Sequence, residues 1–151
     1  MSASSRRIPG VILLAEDDPG DQKLIRRAFA TGPLDYQLKV VEDGDELVDY
    51  LTRSGKYTDV REAPRPSLVL LDLNMPKKDG RAALREIKSH RDLRRIPVVV
   101  LTTSDQEIDI IQCYDLGANS YITKPSSFPE LAQMAEQLES YWFELSRTPY
   151  C

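Results

Sequence analysis

The sequence LVLLDLNMPKKDG, residues 68–80, carries an apolar strand directly into an ionisable side chain, Asp72. Asn74 and Pro76 follow closely behind it. A carboxylate beside a buried strand is costly unless it is paired, bound to a metal or used chemically. Asp72 alone could equally be a turn former ahead of the proline, so the remaining sequence has to separate these alternatives.

The overall composition is that of an ordinary globular protein. The chain has 151 residues, of which 41% are hydrophobic and 29% are charged, enough for one domain with a core. Its net charge of -4 disfavours nucleic-acid and anionic-membrane partners, which require a basic patch. No apolar run approaches the roughly 20 residues that span a bilayer. We therefore expect a cytoplasmic protein in which Cys113 and Cys151 are reduced.

Apolar runs of strand length alternate with amphipathic segments of helix length, which is typical of an α/β fold with a parallel sheet. The expected strands are residues 11–15, 36–41, 67–73, 96–103 and 120–124. The expected helices cover residues 19–30, 42–51, 80–90, 104–116 and 129–145. The segment 52–66 lacks periodicity and is long for a loop, which indicates a family insertion or a contact surface.

Capping residues stand at several of the expected helix starts. Asp18 is the expected N-cap of the first helix. Asp43 with Glu46, and Ser104 with Glu107, have the spacing of a capping box, in which each side chain bonds the backbone of the other residue.

Polar side chains follow four of the expected strands. In chain order they are Glu16, Asp17, Asp18, Asp72, Asn74, Thr102, Thr103 and Lys124. In an open parallel sheet, ligands bind beyond the carboxyl ends of the strands, so these groups are expected to meet at one edge. The sequence EDDP alone would indicate only a charged helix start. The placement of polar groups at the ends of four strands together favours a ligand-binding site.

The oxygen-rich set fits a Mg²⁺ ion, which prefers octahedral oxygen ligands. Asp17 and Asp72 could supply carboxylate oxygens, and the Asn74 backbone could supply a carbonyl oxygen. Glu16 could bind a water molecule that is coordinated to the ion. Crowded acids have raised pKa values unless a cation offsets their repulsion, and Mg²⁺ with Lys124 would do so.

Asp72 could then attack phosphorus, because carboxylates form aspartyl phosphates. Phosphoryl transfer depends mainly on positioning and charge neutralisation. Mg²⁺ and Lys124 would neutralise the phosphoryl oxygens, and the Thr102 hydroxyl would donate a hydrogen bond to one of them.

Four motifs, LLAEDD, LLDLNMPKKDG, VVVLTTS and SYITKP, resemble in order and spacing the receiver domain of two-component response regulators. The resemblance implies a CheY-like, flavodoxin-like fold, a doubly wound five-stranded parallel sheet with five helices. It also implies that Asp72 is the phosphoacceptor and that Glu16 and Asp17 form the acidic pair. The phosphoryl donor would be a phosphohistidine on a sensor histidine kinase.

The same match implies roles for residues on the last two strands. Thr102 would be the switch hydroxyl, Tyr121 the switch aromatic and Lys124 the phosphoryl-binding lysine, with a cis bond to Pro125. A phosphoryl group that draws Thr102 inward would open a void for Tyr121 to fill.

The long loop, the LTTS sequence and the extended final helix resemble single-domain regulators that partner phytochrome-type histidine kinases. The expected organisation is a flexible tail at 1–10, a receiver domain at 11–146 and a short tail at 147–151. With no output domain expected, phosphorylation would act through a changed surface.

The final helix is expected to carry an apolar stripe along one side. The stripe comprises Leu131, Met134, Leu138, Tyr141, Trp142 and Leu145. Tyr141, Trp142 and Phe143 lie beyond the length that a receiver's last helix needs. They indicate either a homodimer interface, shared with helix four and strand five, or a cap over the domain's own core.

Three other functions compete with the phosphoacceptor. A phosphatase or mutase would place a second acid at Asn74, which cannot transfer a proton, so we expect only Mg²⁺-dependent self-phosphorylation and dephosphorylation. A receiver-like binding module that is never phosphorylated would usually lack one of the acids or the lysine. A nucleotide-binding protein would show a glycine-rich loop after the first strand.

Overall fold

The structure is a computed structural model and describes residues 10–32 and 36–149. In these ranges five parallel strands form one sheet in the order β2-β1-β3-β4-β5. The strands are β1 (Gly10–Ala15), β2 (Tyr36–Val41), β3 (Leu68–Leu71), β4 (Val98–Thr102) and β5 (Ser120–Thr123). The helices are α1 (Pro19–Ala30), α2 (Gly44–Thr52), α3 (Gly80–Ser89), α4 (Glu107–Asp115) and α5 (Phe128–Glu139). The expected CheY-like fold is confirmed.

The sheet is covered on both faces, which explains the nearly continuous apolar runs of its strands. Along β1, Leu13 packs in the layer under α2 and α3, whereas Ile12 and Leu14 pack in the layer under α1 and α5. Cys113 is buried in the first layer as a free cysteine. Cys151 and most of the expected N-terminal tail lie outside the described residues.

Two of the expected helix caps are confirmed. The Asp18 carboxylate accepts from the backbone N–H of Asp21 at 2.8 Å, which starts α1. The Asp43 carboxylate accepts from the Glu46 N–H at 2.8 Å and starts α2, but the Glu46 carboxylate accepts from the Glu42 N–H at 2.8 Å, so the return bond expected to Asp43 goes to its neighbour. Both N-cap contacts join neighbours in sequence, so the local pattern was sufficient to predict them.

The capping box expected at Ser104 and Glu107 is wrong. The cap of α4 is Gln106, which makes no side-chain capping bond. The Ser104 hydroxyl instead donates to the Asp109 carboxylate at 2.6 Å. Asp109 also accepts from Arg81 on α3 at 2.9 Å, so a tertiary ion pair draws the serine away from the helix start.

The segment between α2 and β3 contains a short 3₁₀ turn, Gly55–Tyr57, and packs back onto α2. The Tyr50 hydroxyl donates to the Pro64 carbonyl at 2.7 Å. The Arg65 guanidinium donates to the Leu51 carbonyl at 2.9 Å. These contacts hold the irregular chain against the domain.

The last helix differs from the expected one. It ends at Glu139, and Ser140–Leu145 form a π-helical turn. Tyr141 and Leu145, expected on the apolar stripe, are 51% and 75% exposed. The stripe fails there because a π-helix pairs residues five apart and breaks the 3.6-residue period.

The remaining aromatic residues of this turn cover the domain's own core. Trp142 and Phe143 pack against the layer under α1 and α5. The Phe143 ring stacks on Tyr36 of β2, with ring centroids 5.8 Å apart. None of the helices in the described ranges has the length and apolarity that crossing a bilayer requires.

Candidate functional site

Backbone hydrogen bonds bring the ends of four strands to one edge of the sheet. The Asp72 N–H donates to the Ala15 carbonyl at 3.0 Å, which sets Asp72 beside Glu16. The Lys124 N–H donates to the Thr102 carbonyl at 2.7 Å, which joins the ends of β4 and β5. Residues far apart in sequence therefore meet, as the strand order requires.

The loop after β3 is held close to α3 by a glycine. The Gly80 N–H donates to the Leu73 carbonyl at 2.8 Å. A Cβ atom at Gly80 would lie 2.4 Å from the Asp72 carbonyl oxygen. Only a residue without a side chain permits this approach, which fixes the backbone of Asp72.

Glu16, Asp17 and Asp72 form an acidic cluster in which one carboxylate oxygen of each lies within 4.8 Å of the others. Glu16 and Asp72 are buried, whereas Asp17 is exposed. Buried acids so close together require a compensating cation. Three carboxylate oxygen donors, one of them from the exposed Asp17, fit a hard divalent ion.

Lys124 supplies a positive charge to the same cluster. Its Nζ atom lies 2.6 Å from Glu16 Oε1, 2.8 Å from Asp21 Oδ2 and 3.7 Å from Asp72 Oδ2. The lysine side chain is only 11% exposed. The expected proximity of Lys124 to the acids is therefore present, although its shortest contacts are with Glu16 and Asp21.

The pKa values of this cluster reflect burial and the opposed charges. Burial raises the pKa of Glu16, as does the charge of Asp72, while the hydrogen bond from Lys124 lowers it. Burial favours a lower pKa for Lys124, but Asp21 and Glu16 outweigh it and hold that pKa above its ordinary value. The lysine is therefore an ammonium at neutral pH.

The hydroxyl of Thr102 lies at the end of β4 and is buried without a partner. Thr102 is 0% exposed, and its Oγ1 atom has no hydrogen-bond partner within the described residues. Buried hydroxyls are nearly always hydrogen bonded. The Thr102 hydroxyl is therefore available to donate to an oxygen atom of a ligand at this edge of the sheet.

Tyr121 lies on β5 beside the loop that follows Thr102. Its hydroxyl donates to the Ser104 carbonyl at 2.9 Å, and its half-buried ring packs against the layer under α2 and α3. A displacement of this loop would therefore be transmitted to Tyr121.

Two of the expected details concern Asn74 and Pro125. Asn74 is exposed two residues beyond Asp72, and its carbonyl as a metal ligand stays a prediction. The described residues contain no cis peptide bond, so the cis bond expected at Pro125 is wrong. The trans form is favoured even before proline, and with it Lys124 already reaches the acids.

Asp21 is the site residue that the sequence pattern did not indicate. It lies in the first turn of α1, and its carboxylate accepts from Lys124 at 2.8 Å. The sequence signal that could have indicated Asp21 is its place three residues after the Asp18 cap. Because α1 starts at the same edge of the sheet as the acidic cluster, an acid in its first turn lies near that cluster. Acids in a first helical turn are so common that this signal alone is weak.

Residues 12–136 match the family model of the response regulator receiver domain. The chain belongs to this family. The acidic pocket of Glu16, Asp17 and Asp72 is present at the edge of its sheet.

Several proteins resemble this receiver domain along almost all of its length. Response regulator Rcp1 of Synechocystis sp. is 45% identical over 93% of this chain and 94% of its own. The crystal structure of its Mn²⁺-bound form has a TM-score of 0.85, covering 94% of this chain and 100% of that one.

Two further similar structures were solved in the phosphorylated and in the magnesium-bound state. The phosphorylated cyanobacterial phytochrome response regulator RcpA is 44% identical, with a TM-score of 0.88 over 95% of this chain and 100% of that one. The receiver domain of the sensor histidine kinase PA1611 from Pseudomonas aeruginosa carries a magnesium ion in its active-site cleft. It is 29% identical, with a TM-score of 0.68 over 90% of this chain and 98% of that one.

Proposed function

We propose that this receiver domain accepts a phosphoryl group on Asp72 from the phosphohistidine of a sensor histidine kinase. The carrying observation is the buried Asp72 beside the Lys124 ammonium, 3.7 Å away, together with the unpartnered hydroxyl of Thr102. Phosphoryl transfer to an aspartate needs a carboxylate nucleophile and a neutralising cation, and a free donor can then bind the transferred phosphoryl group.

In the transfer, a carboxylate oxygen of Asp72 forms a bond to phosphorus as the bond from phosphorus to the imidazole nitrogen breaks. The bonding electron pair stays on the imidazole of the kinase. Asp72 reacts as the carboxylate and needs no base. Mg²⁺ held by Asp17, Asp72 and Glu16 would neutralise phosphoryl charge, and the ammonium of Lys124 donates to a phosphoryl oxygen.

The phosphorylated state would be transmitted through the loop after β4. The added phosphoryl group carries nearly two negative charges and strong acceptor oxygens, so it attracts the Thr102 hydroxyl. The Ser104 carbonyl, two residues along, holds the Tyr121 hydroxyl. A movement of the loop therefore changes the hydrogen bond between Ser104 and the Tyr121 hydroxyl, and with it the position of Tyr121. The loop and Tyr121 would then have two positions, and the charge of the phosphoryl group would favour one of them.

The kinase partner is proposed to be of the phytochrome type. The support is the similarity over nearly the full chain to RcpA, a phytochrome response regulator. The chemistry of the domain itself is proposed to be limited to its own phosphorylation and dephosphorylation.

The proposed output is a homodimer that uses α4, β5 and the π-helical turn. The exposed apolar side chains are Ile108, Ile111 and Tyr114 on α4, and Tyr141 and Leu145 on the π-helical turn. Such residues in a group are typical of an interaction surface. Light scattering after size-exclusion chromatography tests this: a monomer at high micromolar concentration, with and without phosphorylation, would contradict the dimer.

The phosphoacceptor is tested by incubation with acetyl phosphate and Mg²⁺, followed by intact mass measurement. One phosphoryl group should be added to the native chain and none to the Asp72→Asn variant, whose fold should be unchanged by circular dichroism. Chelation of Mg²⁺ should prevent the gain. No addition to the native chain, or equal addition to both chains, would exclude Asp72 as the acceptor.

A further inference from the structure

We propose that Asp21 is a positioning residue that holds the Lys124 ammonium away from Asp72 and competes with the phosphoryl group for it. The inference rests on the proposed phosphorylation of Asp72. It assigns to Asp21 a role in setting how tightly the site holds a phosphoryl group.

The first support is the geometry around the ammonium. Lys124 Nζ makes hydrogen bonds with Glu16 at 2.6 Å and Asp21 at 2.8 Å. The distance to Asp72 is 3.7 Å, which is longer than a hydrogen bond. Two of the three ammonium protons are thus engaged by acids other than the acceptor.

The second support is that Asp21 cannot follow the lysine freely. Its backbone N–H is bonded to the Asp18 carboxylate at 2.8 Å, and it belongs to the first turn of α1. The Asp21 backbone is therefore held on the α1 side of the ammonium, and the carboxylate can follow the lysine only by rotating its short side chain. Drawing Lys124 closer to a phosphoryl group on Asp72 means lengthening this contact.

The third support is charge. A phosphoryl group near −2 charge must attract an ammonium already shared by two carboxylates. Glu16 is buried in the acidic cluster, whereas the Asp21 side chain is 37% exposed. Since partly exposed ion pairs are weak, removing Asp21 should strengthen phosphoryl binding by about threefold rather than by orders of magnitude.

A purely structural role makes a different prediction. An acid in the first turn of a helix stabilises the helix dipole. If that were the whole role of Asp21, its loss would lower the thermal midpoint and leave phosphoryl affinity unchanged.

The test is titration of the full chain with beryllium trifluoride, a phosphoryl mimic, at saturating Mg²⁺ by isothermal calorimetry. Asp21→Asn should bind about threefold more tightly than the native chain. Glu130→Gln is the matched control: Glu130 is likewise an acid in the first turn of a helix, α5, with its backbone N–H bonded to the side chain of the helix cap, Ser127, at 3.3 Å. It should bind like the native chain.

The outcomes separate this inference from the proposed function. An unchanged affinity in Asp21→Asn, or an equal gain in Glu130→Gln, overturns the role of Asp21 alone. An equal rise in the affinity of Asp21→Asn for Mg²⁺ alone also overturns the role of Asp21, because tighter metal binding would then explain the tighter binding of the mimic. If the native chain binds no mimic, the proposed function and this inference both fail.

Discussion

The guanidinium of Arg81 on α3 donates to the carboxylate of Asp109 on α4 at 2.9 Å. The same carboxylate accepts from the Ser104 hydroxyl at 2.6 Å. Asp109 thus ties α3 and α4 to the loop that follows Thr102, whose Ser104 carbonyl also holds Tyr121. The contact links the loop after β4 to α3 and α4.

This contact predicts a specific pH dependence of stability. The Ser104 hydroxyl and the Arg81 guanidinium hold the pKa of Asp109 below its usual 3.8. A carboxyl group whose pKa is lower in the folded than in the unfolded state stabilises the protein at any pH above its unfolded-state pKa. This contribution is lost as the pH falls through the folded-state pKa. Urea unfolding should therefore show native and Asp109→Asn chains diverging above pH 3.8 and converging below it.

Arg81→Gln provides the control for this measurement. In that background Asp109→Asn should have a smaller effect, because one of the two donors is already missing. Parallel stability curves for the native and Asp109→Asn chains at all pH values would show that Asp109 is not held in its ionised form.

The unpartnered Thr102 hydroxyl predicts a stabilising substitution at the active site. Thr102→Val keeps the shape and removes a buried polar group, so the free energy of unfolding should rise by about 1 kcal/mol. Thr123, its exposed register partner on β5, provides the matched control. Thr123→Val should change stability by less than about 0.5 kcal/mol.

The same variant separates phosphorylation from switching. Thr102→Val should still gain a phosphoryl group on Asp72, but the NMR signals of the Tyr121 ring should no longer shift on phosphorylation. Loss of stability in Thr102→Val would mean that its hydroxyl has a partner after all.

The contact of Gly80 with the loop after β3 predicts a large cost for a single methyl group. In Gly80→Ala the new Cβ would meet the Asp72 carbonyl oxygen at 2.4 Å, so stability should fall by about 2 kcal/mol. Gly20→Ala is the contrasting variant. Its Cβ would meet only the Asp18 side chain, at 3.2 Å, and it should gain up to about 1 kcal/mol from helix propensity.

Denaturant unfolding of both glycine variants measures this difference directly. A similar effect of the two substitutions, in either direction, would mean that the backbone near Asp72 can shift to accept a side chain.

Two aromatic residues of the π-helical turn, Tyr141 and Phe143, are predicted to differ in what their removal affects: the proposed dimer or the stability of the fold. Phe143 stacks on Tyr36, so Phe143→Ala should lower the free energy of unfolding by about 2 kcal/mol, since its ring is partly buried. Tyr141 is 51% exposed, so Tyr141→Ala should leave that stability unchanged and weaken the proposed dimer. Unfolding at low protein concentration and light scattering at high concentration measure the two effects. Equal loss of stability in both variants would assign Tyr141 to the core.

Local features of the fold were predictable because their causes are neighbours in sequence. The Asp18 and Asp43 caps bond residues three positions along the chain, and apolar runs predict strands by their length. The acidic cluster could be predicted for a related reason. Parallel strands place their carboxyl ends at one edge, so residues that follow different strands must meet there.

Features that depend on a distant partner were not predictable in this way. Ser104 has the spacing of a helix cap, but its hydroxyl donates to Asp109, whose carboxylate is held by Arg81 from 28 positions earlier in the chain. Asp21 is ordinary as a first-turn acid until Lys124, 103 positions along the chain, reaches it. The sequence by itself determined which residues could reach the edge of the sheet. Only the packing of the helices on that sheet decided which charges pair, because an ionic contact depends on a few ångströms that no local pattern specifies.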